Sequence, residues 1–149
     1  VPFTSLILPL LASNSTRIRW EATHTISLLT PYISEQIFSL LPAISEQIRT
    51  DKSTIVRDYS VQTICNFAEI GEPEALAAFP ILKEALSLWE GKHRGRILTG
   101  LLNVCKHAPT CILEIRGIAE EYVEDNRSGV KKAAKVLMKA IIKESCRFS

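Results

Sequence analysis

The side chains best suited to metal or nucleophilic chemistry gather late in the chain, where Cys105-Lys106-His107 is followed by Cys111. Thiolate and imidazole both suit zinc, but no fourth ligand accompanies them at a matching spacing, and the cluster straddles a predicted helix end. Cys105 also falls on an apolar helical stripe with Ile97, Leu101 and Val104. Packing is therefore expected of Cys105 and Cys111, as of Cys65 and Cys146, and neither a metal nor a cofactor is expected. His24, His93 and His107 share no helical face, and the carboxylates are scattered over predicted solvent faces. There is no glycine-rich phosphate loop, no Gly-x-Ser-x-Gly and no His-Glu-x-x-His. The chain does not read as an enzyme.

Recognition chemistry is better represented. Trp20, with His24 one turn on, and Trp89, in a turn with Lys92, are candidate anchors, because tryptophan is enriched among binding hot spots. The competing reading is that each packs over a neighbouring segment. Lys131, Lys132, Lys135, Lys139 and Lys143 fall within an arc of about 120° on an ideal helix. Such an arc suits nucleic acid, an acidic protein or an anionic membrane surface, or it is the polar outer face that ends a stack of repeats. With 18 basic and 16 acidic residues the formal charge is only +2, so any basic function must be local.

These residues need elements to hold them, and the apolar spacing predicts only helices. Expected helices cover about 3–12, 17–30, 33–49, 55–70, 72–88, 93–107, 111–123 and 128–143, with no alternating stretch that reads as a strand. Ser13-Asn14-Ser15-Thr16 offers capping oxygens, Gly71 is expected in the left-handed conformation that often ends a helix, and Pro73 suits a first helical turn. At 149 residues and 46% hydrophobic content the chain can form one domain with a substantial core.

The helices repeat. Ile55-Val56-Arg57 with Ser60 and Ile64 has counterparts in Ile18-Arg19 with Ala22 and Ile26, in His93-Arg94 with Ile97 and Leu101, and in Val130-Lys131 with Ala134 and Met138. The cations at 19, 57, 94 and 131 are 38, 37 and 37 residues apart. A second series, Pro9, Pro42 and Pro80, recurs in the first helix of three pairs. Each pair has apolar faces it cannot bury alone, so neighbours must stack into a continuous core. The expected core stripes are Ile18, Ala22, Ile26 and Leu29; Val56, Ser60, Ile64 and Phe67; Ile97, Leu101, Val104 and Cys105; and Val130, Ala134, Met138 and Ile141.

On the prolines, the turn acids Asp51 and Asp125 and the cations Arg19, Arg57, Arg94 and Lys131, the chain resembles HEAT repeats of the armadillo-like class. The resemblance implies an all-α, right-handed superhelix of about four helix pairs, with repeats near 1–30, 31–71, 72–108 and 109–149. It also implies a ladder in which turn acid and second-helix cation pair. Only repeats two and four hold both members, since Ser13 and Leu88 stand at the acid position elsewhere. Arg57 is accordingly read as the structural partner of Asp51.

The resemblance further places the second helices on the concave, partner-binding surface. The arc so exposed would carry Trp20, His24 and Ser27; Asp58, Gln62 and Glu69; Gly95, Thr99 and Lys106; and Lys132, Lys135 and Lys139. Its mixed chemistry favours a protein partner and a scaffold or adaptor role, with a nucleic-acid-binding domain like the HEAT-like alkylation-repair enzymes as the alternative. The uncovered apolar N-terminal helix suggests contact with a further repeat or an oligomer mate, and a larger parent protein. Unpaired cysteines suggest a reducing, cytoplasmic setting, and the longest apolar run, Leu6 to Ala12, is too short to span a bilayer.

Overall fold

The computed structural model describes the backbone of residues 2–147 and the side chains of residues 2–144. Eight α-helices follow one another: α1 (Phe3–Leu11), α2 (Thr16–Leu29), α3 (Ser34–Thr50), α4 (Thr54–Ala68), α5 (Glu72–Ala85), α6 (Arg94–His107), α7 (Ile112–Tyr122) and α8 (Ser128–Arg147). They form four antiparallel-connected pairs joined by short turns and 3-10 segments, with no strand among the described residues. The second helices α2, α4, α6 and α8 stack on one another in order, and each packs on its own first helix.

Capping follows the repeat. Ser15 accepts from the backbone N–H of Ile18, and Ser53, 38 residues on, accepts from that of Val56. Each supplies a partner that the first helical turn lacks. Pro9, Pro42 and Pro80 lie inside α1, α3 and α5, and all three are exposed. On that side the carbonyl deprived of its helical N–H is open to water, which is why these helices run through their prolines.

One apolar cluster runs through the stack. Ile26, Ile37, Leu40, Ile44, Ile64, Phe67, Leu82, Ile97, Leu98, Leu101 and Ile115 are sealed from solvent within it. The expected stripes of α4, α6 and α8 are buried, apart from Met138, which is half-buried against the core beside a buried Leu137. In α2, Ala22 and Ile26 are buried but Ile18 is 42% exposed, whereas its counterparts Val56, His93 and Val130 are buried. No second helix among the described residues lies on that side of α2. Helix α1 buries Ile7 and Leu11 and leaves Leu6, Leu8 and Leu10 exposed.

One expectation about glycine is corrected. Gly71 has φ 176°, extended backbone open to any residue, and it precedes α5 without closing α4 in a left-handed turn. The left-handed residues are Trp89, Glu90 and Gly91, with φ of 53°, 56° and 76°. A Cβ at Gly91 would meet only the movable end of the Arg94 side chain, so it is the left-handed conformation that favours glycine there.

Candidate functional site

The turns between paired helices carry the ladder, with different partners from those expected. Asp51 accepts two bonds from Arg19 of the preceding pair, from Nε at 2.9 Å and Nη2 at 3.3 Å. Arg57 touches only the backbone of Asp51, donating from Nη1 to its carbonyl at 2.7 Å. Arg19 does the same within its own turn, from Nη1 to the carbonyl of Ser13 at 3.0 Å. Both arginines also donate from Nη2 to a threonine three residues earlier, Thr16 and Thr54. Each guanidinium therefore closes its own turn and reaches forward to the next one.

The acid position has a second role that serine also fills. Asp51 Oδ1 accepts from the N–H of Ser53, Asp125 Oδ1 from that of Arg127, and Ser13 Oγ from that of Ser15. A short side-chain oxygen bonding two residues on is what this tight turn needs. Among the described residues, Asp125 has no arginine across the repeat boundary. Arg94 donates instead to the carbonyl of Leu86 and lies over the ring of Tyr122, and Lys131 lies 3.8 Å from Glu124.

In the third turn, where Leu88 replaces the acid, the chain goes left-handed and other groups meet the cations. Arg57, only 3% exposed, donates from Nε to Nε2 of His93 at 3.1 Å, and its guanidinium lies 3.7 Å from the centre of the Trp89 ring. Nδ1 of His93 is 3.0 Å from Oδ1 of Asp58. An Nε2 that accepts leaves the ring neutral with its proton on Nδ1, directed at Asp58. Burial pulls the His93 imidazole below its ordinary value, against the opposing effect of Asp58. Burial likewise lowers the Arg57 guanidinium. Trp89 donates to the carbonyl of Ile48 at 2.8 Å, and Arg127 donates to the carbonyls of Gly91 at 2.6 Å and Glu90 at 2.9 Å. Lys92 bonds the hydroxyl of Thr54. Trp89, Lys92 and Asp58 are thus occupied in holding the turns.

The exposed side of the second helices is the remaining surface. At its α2–α4 end the ring of Tyr59 stacks on His24 at 4.4 Å and on Trp20 at 6.3 Å, with all three half-buried. Ser27, expected on this arc, is instead buried. Farther along, Arg96 donates to Oε1 of Gln62, Gln62 donates to Asn66 at 2.7 Å, and Asn66 donates to the carbonyl of Ser27 at 3.1 Å. Asn103, 37 residues after Asn66, likewise reaches back to the carbonyl of Cys65. This relay crosses three helices. Its recurrence at the 37-residue period was available in the sequence as Asn66 and Asn103, and Tyr59 and Arg96 were likewise not among the candidates.

Two depressions adjoin over α6. One, of about 390 Å³, lies between α4 and α6 and is lined by Gln62, Cys65, Arg96 and Asn103, among others. The other, of about 330 Å³, lies between α6 and α8 over Leu98, Leu102, Ala133, Val136 and Leu137, with Lys132 at its rim. Gly95 and Thr99 line both. Lys135 and Lys139 do not. They line a third depression of about 360 Å³ on α8 with Lys131, and Lys132 and Val136 line this one as well. In repeat register they stand where α4 has Val61 and Cys65 and α6 has Leu98 and Leu102, positions turned toward the next helix of the stack.

The sulfur and metal candidates are structural in placement. Cys65, Cys105 and Cys111 are free and buried, and burial pushes the thiols of Cys65 and Cys105 up to about 12. A thiol so raised is protonated and a poor nucleophile at neutral pH. The side chain of Cys146 lies outside the described residues. Among the described residues no three His, Cys, Asp or Glu side chains converge on a metal position, and no helix is long and apolar enough to cross a membrane.

Similarity to known proteins is confined to the fold. No family model and no curated protein matches the chain. Among solved structures, an engineered protein of the Northeast Structural Genomics Consortium superposes with a TM-score of 0.70 at 15% identity, over 95% of this chain and 63% of its own. A designed armadillo repeat protein does so with a TM-score of 0.66 at 19% identity, over 93% and 64%. A second engineered protein from the same consortium gives 0.68 at 15% identity, over 93% and 37%. The chain spans less than two-thirds of each. The fold is that of an armadillo/HEAT-like helical-repeat solenoid.

Proposed function

We propose that this chain is an interaction scaffold or adaptor that binds a protein partner along the exposed face of its second helices and has no catalytic activity of its own. The observation that carries this reading is the unbroken surface from the Trp20–Tyr59–His24 stack, through the Arg96–Gln62–Asn66 relay, to the apolar floor beside Lys132. Aromatic anchors, oriented polar groups and an apolar depression are what a protein interface combines. A phosphate backbone calls for cations along the whole track, whereas the α4 part of this face carries Asp58 and Glu69. The side chains with the greatest catalytic potential are spent elsewhere: both ring nitrogens of His93 are engaged, and the buried thiols are held protonated. We also place the protein in the cytoplasm, on its free cysteines.

A photo-crosslinking amino acid introduced singly at Leu28, at Thr99 or at Leu113 tests this reading in nuclease-treated lysate. Leu28 and Thr99 belong to the second helices, and Leu113 is 82% exposed on α7. Discrete protein adducts are expected from the first two positions and not from Leu113. Adducts from all three alike, or from none, would remove the reading.

A further inference from the structure

Building on the scaffold reading, we infer that the trough over α6 takes an acidic peptide segment carrying an apolar side chain. The apolar group would seat on Leu102, Ala133 and Val136, and the carboxylates would meet Arg96 and Lys132.

Three observations converge on this occupant. First, the charge is one-sided: no carboxylate lines either depression, Arg96 and Lys132 stand at opposite margins, and Lys106 is exposed on the same helix. Neither Arg96 nor Lys132 lies within ion-pairing distance of an acid among the described residues. Second, Arg96 is held before any ligand arrives, since Gln62 takes one of its five N–H donors and leaves the others for a carboxylate. Such fixing lowers the ordering cost of binding. Third, the trough exists because of Gly95. At that register position the other second helices carry Trp20, Asp58 and Lys132, any of which would fill it.

The fold itself does not ask for glycine at 95. A Cβ there would meet nothing closer than the carbonyl of Gly129, at 4.0 Å, which is ordinary contact. Glycine within a helix also costs up to ~1 kcal/mol relative to alanine. Gly100, five residues on, is the opposite case, because a Cβ there would lie 2.2 Å from Sγ of Cys65. One glycine answers to packing and the other only to the open trough.

The test uses fluorescence anisotropy with a labelled peptide of alternating leucine and glutamate. Its controls are the same peptide with serine for leucine, the same with lysine for glutamate, and an oligothymidylate. The leucine–glutamate peptide is expected to bind, with the serine control weaker by about tenfold or more and the lysine control silent. Arg96→Glu, Lys132→Glu and Gly95→Leu should each weaken binding by about tenfold without lowering the melting temperature, and the double variant Lys135→Glu/Lys139→Glu should weaken it far less than any of these. Equal binding of the serine peptide, undiminished binding by Gly95→Leu, or preference for the oligothymidylate with a steep salt dependence would overturn the inference. So would failure of the leucine–glutamate peptide to bind. If protein adducts still form from Thr99 in that case, the scaffold reading stands and only the acidic occupant is lost.

Discussion

Arg57 gives its Nε–H to Nε2 of His93, so a buried cation is met across a repeat boundary by a neutral ring and not by a carboxylate. The carboxylate is one step away, on Asp58, behind the other nitrogen of the same ring. Protonating His93 would turn that acceptor into a donor and set two cations against each other.

Stability should therefore fall with acid in a defined window. Because burial holds the folded His93 below its ordinary value, the unfolded chain takes up the proton first. The contribution is complete above about pH 6.5, the ordinary histidine value, and is lost as pH falls from there toward the lower folded value. Urea melts at pH 7.5 and 5.5 should show the loss, and His93→Gln, which keeps an acceptor for Arg57, should remove this component. Equal pH dependence in the two proteins would count against the relay.

Asp51 and Asp125 occupy equivalent turns and should differ in weight. Asp51 bonds its own turn and Arg19, and its side chain is only 7% exposed, whereas Asp125 bonds its turn alone. Asp51→Ala should cost about 3 kcal/mol, as for loss of a buried charged pair, and Asp125→Ala about 1 kcal/mol, as for one hydrogen bond. Chemical denaturation of both variants decides the point, and equal losses would refute the cross-boundary ladder.

Trp89 and Glu90 are held left-handed at roughly 1–2 kcal/mol each, and Arg127 grips the carbonyls of Glu90 and Gly91 from the next turn. Arg127→Ala should destabilise by about 2 kcal/mol, within the range for hydrogen bonds from a charged donor. Arg127→Lys should recover less than half, because an ammonium point charge does not match two carbonyls as a planar fork does. Thermal melts would measure both, and full recovery by lysine would exclude the two-carbonyl grip.

Alanine at the two α6 glycines should act with opposite signs. Gly100→Ala drives a methyl group into Cys65 and should cost about 1–3 kcal/mol, as overpacking does, despite the gain in helix propensity. Gly95→Ala should stabilise by up to ~1 kcal/mol. Calorimetry on the two variants, with Gly100→Ala repeated in a Cys65→Gly background to relieve the contact, tests the assignment.

The helix pairs were legible because stacking forces one period on apolar faces, prolines and cations alike, and the cations at 19, 57, 94 and 131 mark it. The pairing of Asp51 was misread because an acid lies near two arginines, its own at 57 and the previous one at 19. Sequence spacing favours the nearer, whereas the structure gives it only the backbone carbonyl. The left-handed turn was hidden because Trp89 and Glu90 lack the glycine or asparagine signature, and only Gly91 hinted at it. The face assigned to Lys135 and Lys139 was lost to resolution. An arc of about 120° on one helix spans both the open side and the side toward the next layer, and only comparison with Val61 and Leu98 separates them.

The turn arginines bear on how the array comes apart. Arg19 and Arg57 each close their own turn and donate into the following one, and Arg127 does so in the reverse direction. Peeling off one layer strips acceptors or donors from its neighbour, leaving polar groups such as Arg57 without partners. In a chain of layers coupled only by nearest-neighbour terms, this raises the coupling relative to the intrinsic stability of each layer. Fraying from one end is then penalised at every boundary, and the four layers melt together as one cooperative unit.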